Sequence, residues 1–277
     1  FARARQLVDN STGPFVPAAQ HVTEKTIYEQ PLNERIRTFL RLEFLFEQAS
    51  HHLHGTSLWD SRGTLNSLLD ILSIFGRTDL KTEVLKELDR HTGTLSKLHQ
   101  NPGVDSQRLN QILDELDTLN QTLHASDGPI GADLKKNEFL SSIQQRAAIP
   151  GGTCDFDLPA YHYWLQQSNE MRTRDLADWL SRFEAIAKSI KLILKLVRQS
   201  AVLKPVIADS GFYQMTLDAN LPCQLVRVAV KKDVTYYAEI SGGRHRYTVR
   251  FLTLDKPTGH TKQATDNIEF ELGCCII

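Results

Sequence analysis

The spacing of apolar residues divides the chain into a helical part and a strand-forming part. Between residues 31 and 148, leucine, isoleucine and phenylalanine recur every three or four positions, which predicts a series of α-helices. Pro31 is predicted as the first helical residue and Gly76 as a later helix stop. From about residue 206 the apolar period changes to two, which predicts five strands separated by polar turns. The expected fold class is therefore α+β.

These patterns predict two domains. Residues 22–148 are expected to form an N-terminal α-helical bundle domain. Residues 149–169 and 205–277 are expected to form a compact antiparallel β domain. Within 149–169, the alternation of Cys154, Phe156 and Leu158 predicts an early strand of that domain.

Two further segments lie outside these domains. An uninterrupted apolar stripe from Arg172 to Gln199 predicts one long helix, within 170–204, that is threaded between the β segments and joins the helical domain. Residues 1–21 lack a sustained period and are expected to be a tag or a disordered leader.

The first predicted helix is apolar on more than one side. Leu42 and Phe46 widen a stripe that already contains Phe39 and Phe44. A helix of this kind is either buried at the centre of a bundle or shared with a second copy of the chain. We expect a two-fold dimer held chiefly by the helical domain.

A row of arginines marks one face of a predicted strand near the C-terminus. In the segment ISGGRHRYTVRF (240–251), Arg244, Arg246 and Arg250 project to one side, and Tyr247 projects to the other. Like charges in a row repel each other unless an anion lies across them. The row is either a solvated sheet face or a docking surface for an acidic partner.

The overall charge limits the kind of partner. The 277 residues carry a formal net charge of -1, whereas a dedicated nucleic-acid-binding protein is usually strongly basic. The charge is uneven, because residues 188–204 contain five basic and no acidic residues, and 227–250 contain six basic and two acidic residues. Local basic patches in a nearly neutral chain favour recognition of one acidic partner over a general affinity for polyanions.

Recognisable catalytic motifs are missing from the sequence. There is no phosphate loop, GxGxxG, HExxH or GxSxG motif. His51, His52 and His54 resemble half of a metal site without a matching partner, so a surface cluster at a helix end is expected. His162 lies in an aromatic segment and is expected to pack structurally. The chain is therefore predicted to be no enzyme and to hold no metal and no cofactor.

The cysteines and the apolar runs bear on the compartment. Cys154, Cys223, Cys274 and Cys275 have no CxxC spacing, and adjacent residues make a poor disulfide, so free thiols of a cytoplasmic protein are expected. No run of eighteen apolar residues exists, and no membrane span is predicted. What remains is a binding protein, and the residues alone leave open an adaptor or nucleic-acid-binding module that uses the arginine-rich face.

Several blocks of the sequence, in order from residue 27 to residue 275, resemble one protein family. The longest block is IYEQPLNERIRTFLRLE (27–43). The others are TEVLKELDR (82–90), PGVD (102–105), IPGGTCDFDLP (149–159), LVRQSA (196–201), GFYQ (211–214), ISG (240–242) and EFELGCC (269–275). The chain resembles the ZapD family, the Z-ring-associated cell division proteins of bacteria.

The resemblance implies a fold, a partner and a site. ZapD proteins combine a helical domain with a β domain, form homodimers, and bind the C-terminal tail of FtsZ, the bacterial tubulin homologue. The chain is thus expected to bundle FtsZ protofilaments at the midcell division site in the cytoplasm, without a cofactor and without binding nucleic acid or membrane. Arg246 and Arg250 match arginines of the family's tail-binding pocket, Arg77 matches one from the helical domain, and Arg244 belongs to the same row as the first two.

Overall fold

The computed structural model describes residues 24–76, 79–100, 103–126, 128–218, 223–243 and 245–276. The expected leader 1–21, Arg77 and Arg244 lie outside these residues. The described chain contains a helical majority, followed by antiparallel strands, which confirms the α+β class.

The helices of the described chain precede most of its strands. The helices are α1 (Glu34–Leu53), α2 (Leu58–Phe75), α3 (Leu80–Ser96), α4 (Ser106–Ala125), α5 (Ala132–Lys135), α6 (Glu138–Ala147), α7 (Pro159–Leu165), α8 (Asn169–Ser181) and α9 (Glu184–Gln199), with a 3₁₀ turn at Lys97–Gln100. The strands are β1 (Lys25–Pro31), β2 (Lys204–Ala208), β3 (Phe212–Thr216), β4 (Leu225–Lys231), β5 (Tyr236–Gly242), β6 (Arg246–Leu254), β7 (Thr261–Gln263) and β8 (Ile268–Cys275).

The chain divides into two compact units, each formed from separate stretches of sequence. Within the described residues, the first unit comprises 24–38, 91–113 and 193–276 and contains all the strands, and we call it the β unit. The second comprises 39–90 and 114–192, and we call it the helical unit. None of the helices in the described chain is both long and apolar enough to cross a bilayer.

Local capping fixes the ends of α2 in the helical unit. Ser57 Oγ accepts a hydrogen bond from the Asp60 amide at 3.1 Å, and Asp60 Oδ2 accepts one from the Ser57 amide at 3.0 Å. The hydrogen bonds from Ser57 hold the pKa of Asp60 below its usual range. The helix ends at Gly76, whose amide donates to Leu72 O, as the sequence predicts.

The predicted helix start at Pro31 is wrong. Pro31 is the last residue of β1, and α1 begins at Glu34 after Asn33, whose Oδ1 accepts a hydrogen bond from the Ile36 amide at 2.9 Å. β1 pairs along its whole length with β4, which lies far away in sequence. A local apolar pattern carries no information about that partner.

The single long helix predicted from Arg172 to Gln199 is also wrong, because a turn at residues 182–183 separates α8 from α9. Phe183 occupies this turn and is 1% exposed. Its ring lies 5.1 Å from the Phe75 ring and 6.4 Å from the Phe46 ring. Leu180, Phe183 and Ile186 keep a three-residue spacing, so the apolar stripe continues through the break and hides it.

The early strand expected at Cys154, Phe156 and Leu158 does not form. The segment before α7 is a series of turns, in which the Cys154 amide donates to Gly151 O and the Leu158 amide donates to Cys154 O. Gly151 has φ 72°, a left-handed conformation that breaks an extended chain and suits glycine. Residues 149–169 belong to the helical unit.

Two antiparallel sheets build the β unit. One has the strand order β1-β4-β8-β2, and the other has the order β3-β6-β5, with β7 paired to the end of β6. β2 leads into β3 through a tight turn in which Ser210 has φ 47° and Gly211 has φ 71°. The facing sides of the strands bury one apolar cluster, in which the Phe251 ring lies 5.1 Å from Phe270 and 5.5 Å from Tyr236.

The expectation of four free thiols is wrong for one pair. Cys223 and Cys274 form a disulfide, with their Cα atoms 5.8 Å apart, while Cys154 and Cys275 are free. The pairing of β4 with β8 sets Val226 opposite Cys274 and so brings Cys223 within reach. Burial raises the pKa of the Cys275 thiol to about 12, which keeps this neighbouring cysteine protonated.

Candidate functional site

Arg246 and Arg250 lie on the solvent-facing side of β6. Both side chains are exposed, whereas Tyr247 and Phe251 are 1% and 0% exposed and face the core of the β unit. This confirms the predicted alternation over residues 246–251. Arg250 lies four positions after Arg246 along the strand, which is a distance of about 13 Å.

Strand pairing surrounds the two arginines with side chains from β3 and β5. The antiparallel register sets Phe212 on one side of Arg250 and Glu239 on the other. Residues paired in this way share one face of the sheet. The same face carries Thr216 beside Arg246, and Gln214 and Ser241 on either side of Thr248. A groove of about 550 Å³ on this face, which we call the β6 groove, is lined by Phe212, Gln214, Ser241, His245, Thr248 and the two arginines. Glu239 and Thr216 lie beside it on the same face.

The two arginines of the β6 groove are not neutralised by the rest of the described chain. No ion pair or side-chain hydrogen bond joins Arg246 or Arg250 to any described residue. Glu239 is paired with Arg250 across the strands, yet no nitrogen of Arg250 lies within ion-pair distance of its carboxylate. The groove therefore presents cationic side chains whose hydrogen-bond donors are available to a ligand.

Some other members of the predicted basic patches are already paired. Arg198 Nη2 and Arg227 Nε both donate to the carboxylate of Glu29, each at 2.9 Å. Lys188 Nζ lies 2.6 Å from Glu184 Oε1 within α9. The sequence counts of basic residues thus overstate the cationic character of these segments, although some of their lysines are exposed and form no ion pair with a described residue, namely Lys191, Lys195, Lys204 and Lys231.

The floor of the β6 groove is uncharged. Tyr247 lies beneath it with its hydroxyl 3.2 Å from Met215 Sδ. Burial raises the pKa of Tyr247, so that its hydroxyl stays protonated and adds no negative charge near the arginines. The backbone amide of Gly243 donates to Arg246 O at 3.0 Å and holds the turn between β5 and β6 at the end of the groove.

The histidines singled out in the sequence form ordinary local contacts. His52 Nδ1 lies 3.5 Å from Asp60 Oδ1, and His54 Nδ1 lies 2.6 Å from the Ser50 carbonyl oxygen. Among the described residues, no group of three or more His, Cys, Asp and Glu side chains is arranged to hold a metal ion. His51 and His52 lie in the last turn of α1, so the histidine cluster is at the helix end, as the sequence predicts.

The aromatic segment around His162 packs through its other members. Tyr161 and Trp164 are buried and stack with ring centroids 6.0 Å apart, and Trp164 Nε1 donates to Asp175 Oδ2 at 3.0 Å. His162 itself is exposed, so the packing role expected for it is filled by its neighbours. Burial raises the pKa of Tyr161 to about 12.

Sequence reasoning missed several side chains of the β6 groove. Phe212, Gln214 and Thr216 belong to one predicted strand, Glu239 belongs to another, and Ser241 belongs to a predicted turn, but none was assigned to the site. Their place depends on the register of three strands. The only available signal was the alternation within each strand, which gives the face of a residue and not its cross-strand partner.

Taken together, these features define an α+β protein with an exposed cationic groove on one sheet of its β unit. The model of the ZapD family, described as a cell division protein, matches residues 40–250. The chain is 43% identical over 254 residues to the cell division protein ZapD of Methylococcus capsulatus, an alignment that covers 91% of this chain and 98% of that protein.

More distant relatives align over the same range. The chain is 40% identical over 251 residues to ZapD of Coxiella burnetii, which covers 90% of this chain and 97% of the relative. It is 35% identical over 249 residues to ZapD of Klebsiella pneumoniae, which covers 90% and 98% of the two chains. The chain belongs to the ZapD family of cell division proteins.

Proposed function

We propose that this protein binds the C-terminal tail of FtsZ in the β6 groove and, as a homodimer, bundles FtsZ protofilaments at the division site. The observation that carries the proposal is the pair of exposed arginines, Arg246 and Arg250, without an ion-pair partner in the described chain. Membership of a cell division family supports the biological setting. The protein acts in the cytoplasm as a non-enzymatic factor that needs no cofactor.

Arginine is suited to hold a short acidic peptide. The planar guanidinium can bind a carboxylate through two parallel hydrogen bonds, and such charge-assisted bonds are stronger than neutral ones. The neighbouring Gln214, Thr248 and Ser241 add neutral hydrogen-bonding groups to the same face. In this proposal Arg77 and Arg244, which lie outside the described residues, contribute further positive charge, as the family resemblance implies.

Bundling requires two equivalent sites in one particle. A monomer with one groove would only decorate a filament, whereas a two-fold dimer presents two grooves and can link two filaments. Each contact can be weak, because many FtsZ tails along one polymer produce a high effective concentration. The exposed Phe44 on α1, at 63%, supports an apolar surface for such a dimer.

Fluorescence anisotropy with a labelled FtsZ C-terminal tail peptide tests the proposal. The parent protein should bind the tail and should not bind a scrambled peptide of the same composition with the same affinity. Arg246→Glu should lose binding, while Lys204→Glu, which reverses an exposed charge on the other sheet, should keep it. Light scattering of FtsZ polymers should rise on addition of the parent protein or Lys204→Glu and should not rise with Arg246→Glu.

The same experiment separates this proposal from a nucleic-acid-binding module. Non-specific affinity for nucleic acid depends on counterion release, so it falls steeply as the salt concentration rises. Such binding does not depend on the base sequence. A random oligonucleotide should therefore fail to displace the labelled tail peptide. Displacement by the oligonucleotide together with equal binding of the scrambled peptide would contradict the proposed function.

A further inference from the structure

The β6 groove has two chemically different ends. At one end, Arg250 lies between Phe212 of β3 and Glu239 of β5. At the other end, Arg246 lies beside Thr216, and the chain on its β5 side has passed into the turn at Gly243. The two arginines therefore have different neighbours although they share one strand and one face.

The Arg250 end combines an apolar surface with a negative charge. Phe212 is 36% exposed, although its aromatic ring would gain from removal from water. The Cβ atoms of directly paired residues lie about 5 Å apart, so the Glu239 carboxylate reduces the positive potential felt by a ligand at Arg250. This end favours an apolar side chain over a second carboxylate.

The Arg246 end favours a carboxylate. Its described cross-strand neighbour is the neutral Thr216, and no carboxylate of the described chain forms an ion pair with Arg246. The center of the groove, formed by Gln214, Thr248 and Ser241, is polar and uncharged. The middle of a ligand that spans the groove can therefore form hydrogen bonds with these neutral side chains.

The distance between the two ends defines a spacing in the ligand. Arg250 and its paired residue Phe212 lie four strand positions away from Arg246, at a distance of about 13 Å. An extended peptide covers the same distance in four residues, and its side chains at i and i+4 point to the same face. Side chains at i and i+3 point to opposite faces.

We propose that the β6 groove selects an extended peptide with a carboxylate four residues away from an apolar side chain. Arg246 binds the carboxylate, Phe212 packs against the apolar side chain, and Glu239 disfavours a second carboxylate at that end. Phe212 and Glu239 are thus specificity-determining residues. The inference rests on the proposed peptide-binding function of the groove, and it adds a ligand pattern that does not depend on FtsZ.

Surface plasmon resonance with immobilised peptides tests the pattern. The peptides carry one aspartate and one leucine in a Gly-, Ser- and Asn-rich background, at spacing i,i+4 or i,i+3 and in both orders, and the FtsZ tail is included. Of the two i,i+4 peptides, the one whose order of aspartate and leucine binds more tightly should bind at least about fivefold better than the i,i+3 peptide of the same composition.

Variants assign the two specificity residues. Phe212→Ala should weaken the i,i+4 peptide by about fivefold and should leave a version with serine in place of leucine unchanged. Glu239→Gln should strengthen a version with a second aspartate in place of leucine by about two- to fivefold. Ile207→Ala and Glu269→Gln remove an exposed apolar group and an exposed carboxylate from the other sheet, and they serve as matched controls.

The outcomes distinguish this inference from the proposed function. If the i,i+4 peptide binds as described and the FtsZ tail does not, the inference holds and the proposed partner is wrong. A second outcome is that the FtsZ tail binds, but the peptide affinities do not depend on spacing and do not change in Phe212→Ala or Glu239→Gln. The inference is then overturned and the proposed function stands. If no peptide binds to the folded parent protein, both are overturned.

Discussion

Arg198 on α9 holds the carboxylate of Glu29 on β1 through two hydrogen bonds, from Nε to Oε1 at 3.0 Å and from Nη2 to Oε2 at 2.9 Å. Arg227 on β4 donates to the same carboxylate at 2.9 Å. The side chains of Glu29, Arg198 and Arg227 are only 19%, 26% and 18% exposed. One acid thus ties a helix to two paired strands inside the β unit.

Loss of this acid should destabilise the β unit more than loss of one of its arginines. Glu29→Ala leaves two half-buried guanidinium groups without their acceptor and should lower the free energy of unfolding by about 2–3 kcal/mol. Arg198→Ala should cost about 1 kcal/mol, because Arg227 still binds the carboxylate. Urea denaturation followed by circular dichroism measures both.

The exposed pair of Lys25 and Glu271 provides the control. Lys25 lies on the same strand as Glu29, and Lys25→Ala should change stability by no more than about 0.5 kcal/mol. Equal effects of Lys25→Ala and Glu29→Ala would show that the half-buried carboxylate of Glu29 has no special role.

The disulfide gives a prediction about redox conditions. Cys223 and Cys274 are 51 residues apart in sequence, and a crosslink of this span restricts the unfolded chain. Reduction should lower the free energy of unfolding by about 2–4 kcal/mol. Denaturation with and without dithiothreitol measures this difference in stability. The difference should disappear in Cys274→Ser and should persist in Cys154→Ser. Identical curves for the parent protein in both conditions would contradict a stabilising crosslink.

Local patterns predicted most elements and failed where the partner is distant. The α+β class, the end of α2 at Gly76 and the buried face of β6 follow from apolar spacing and turn residues near each element. β1 was missed because its partner β4 is encoded about two hundred residues later. The break at Phe183 was missed because no glycine or proline marks it and the apolar spacing runs through it.

The candidate site was predictable only in part for the same reason. Alternation within β6 identified Arg246 and Arg250 as solvent-facing, since this depends on one strand alone. The counts of basic residues could not show that Arg198 and Arg227 are paired with Glu29. Phe212 and Glu239 join the site through strand register, which a single sequence does not specify.

The dimer prediction can be tested at an exposed apolar residue of α1. Phe44 is 63% exposed while Phe39 and Leu42 of the same helix are 0% exposed. The parent protein should sediment as a dimer at micromolar concentration, and Phe44→Glu should shift it toward the monomer and reduce FtsZ bundling. Tail-peptide binding by each monomer should persist, because the β6 groove lies in the β unit.

The control for the dimer prediction is Trp59→Glu, which places a charge at another exposed aromatic residue of the helical unit, 78% exposed on α2. It should leave the sedimentation coefficient unchanged. A parent protein that stays monomeric at micromolar concentration would refute the dimer, and with it the proposed mode of bundling.

Arg77 should contribute less to tail binding than the arginines of β6. Its assignment follows from the family resemblance alone. Arg77→Glu should weaken binding of the labelled FtsZ tail peptide by a smaller factor than Arg246→Glu, with an unchanged thermal melt. If Arg77→Glu lost more affinity than Arg246→Glu, the main binding determinant would lie outside the β6 groove.

Charge reversal at Arg246 should abolish binding of the FtsZ tail without unfolding the protein. The side chain is exposed and makes no ion pair with a described residue, so the core around Tyr247 and Phe251 should not respond. Removal of one charge-assisted hydrogen bond costs about 1.5–3 kcal/mol, and the new carboxylate repels the acidic tail, which together lowers affinity at least about tenfold. Arg250→Glu should have a smaller effect, because Glu239 already reduces the positive potential at that end. Anisotropy titrations beside thermal melts measure both variants, and unchanged binding in both would show that the β6 groove is not the tail-binding site.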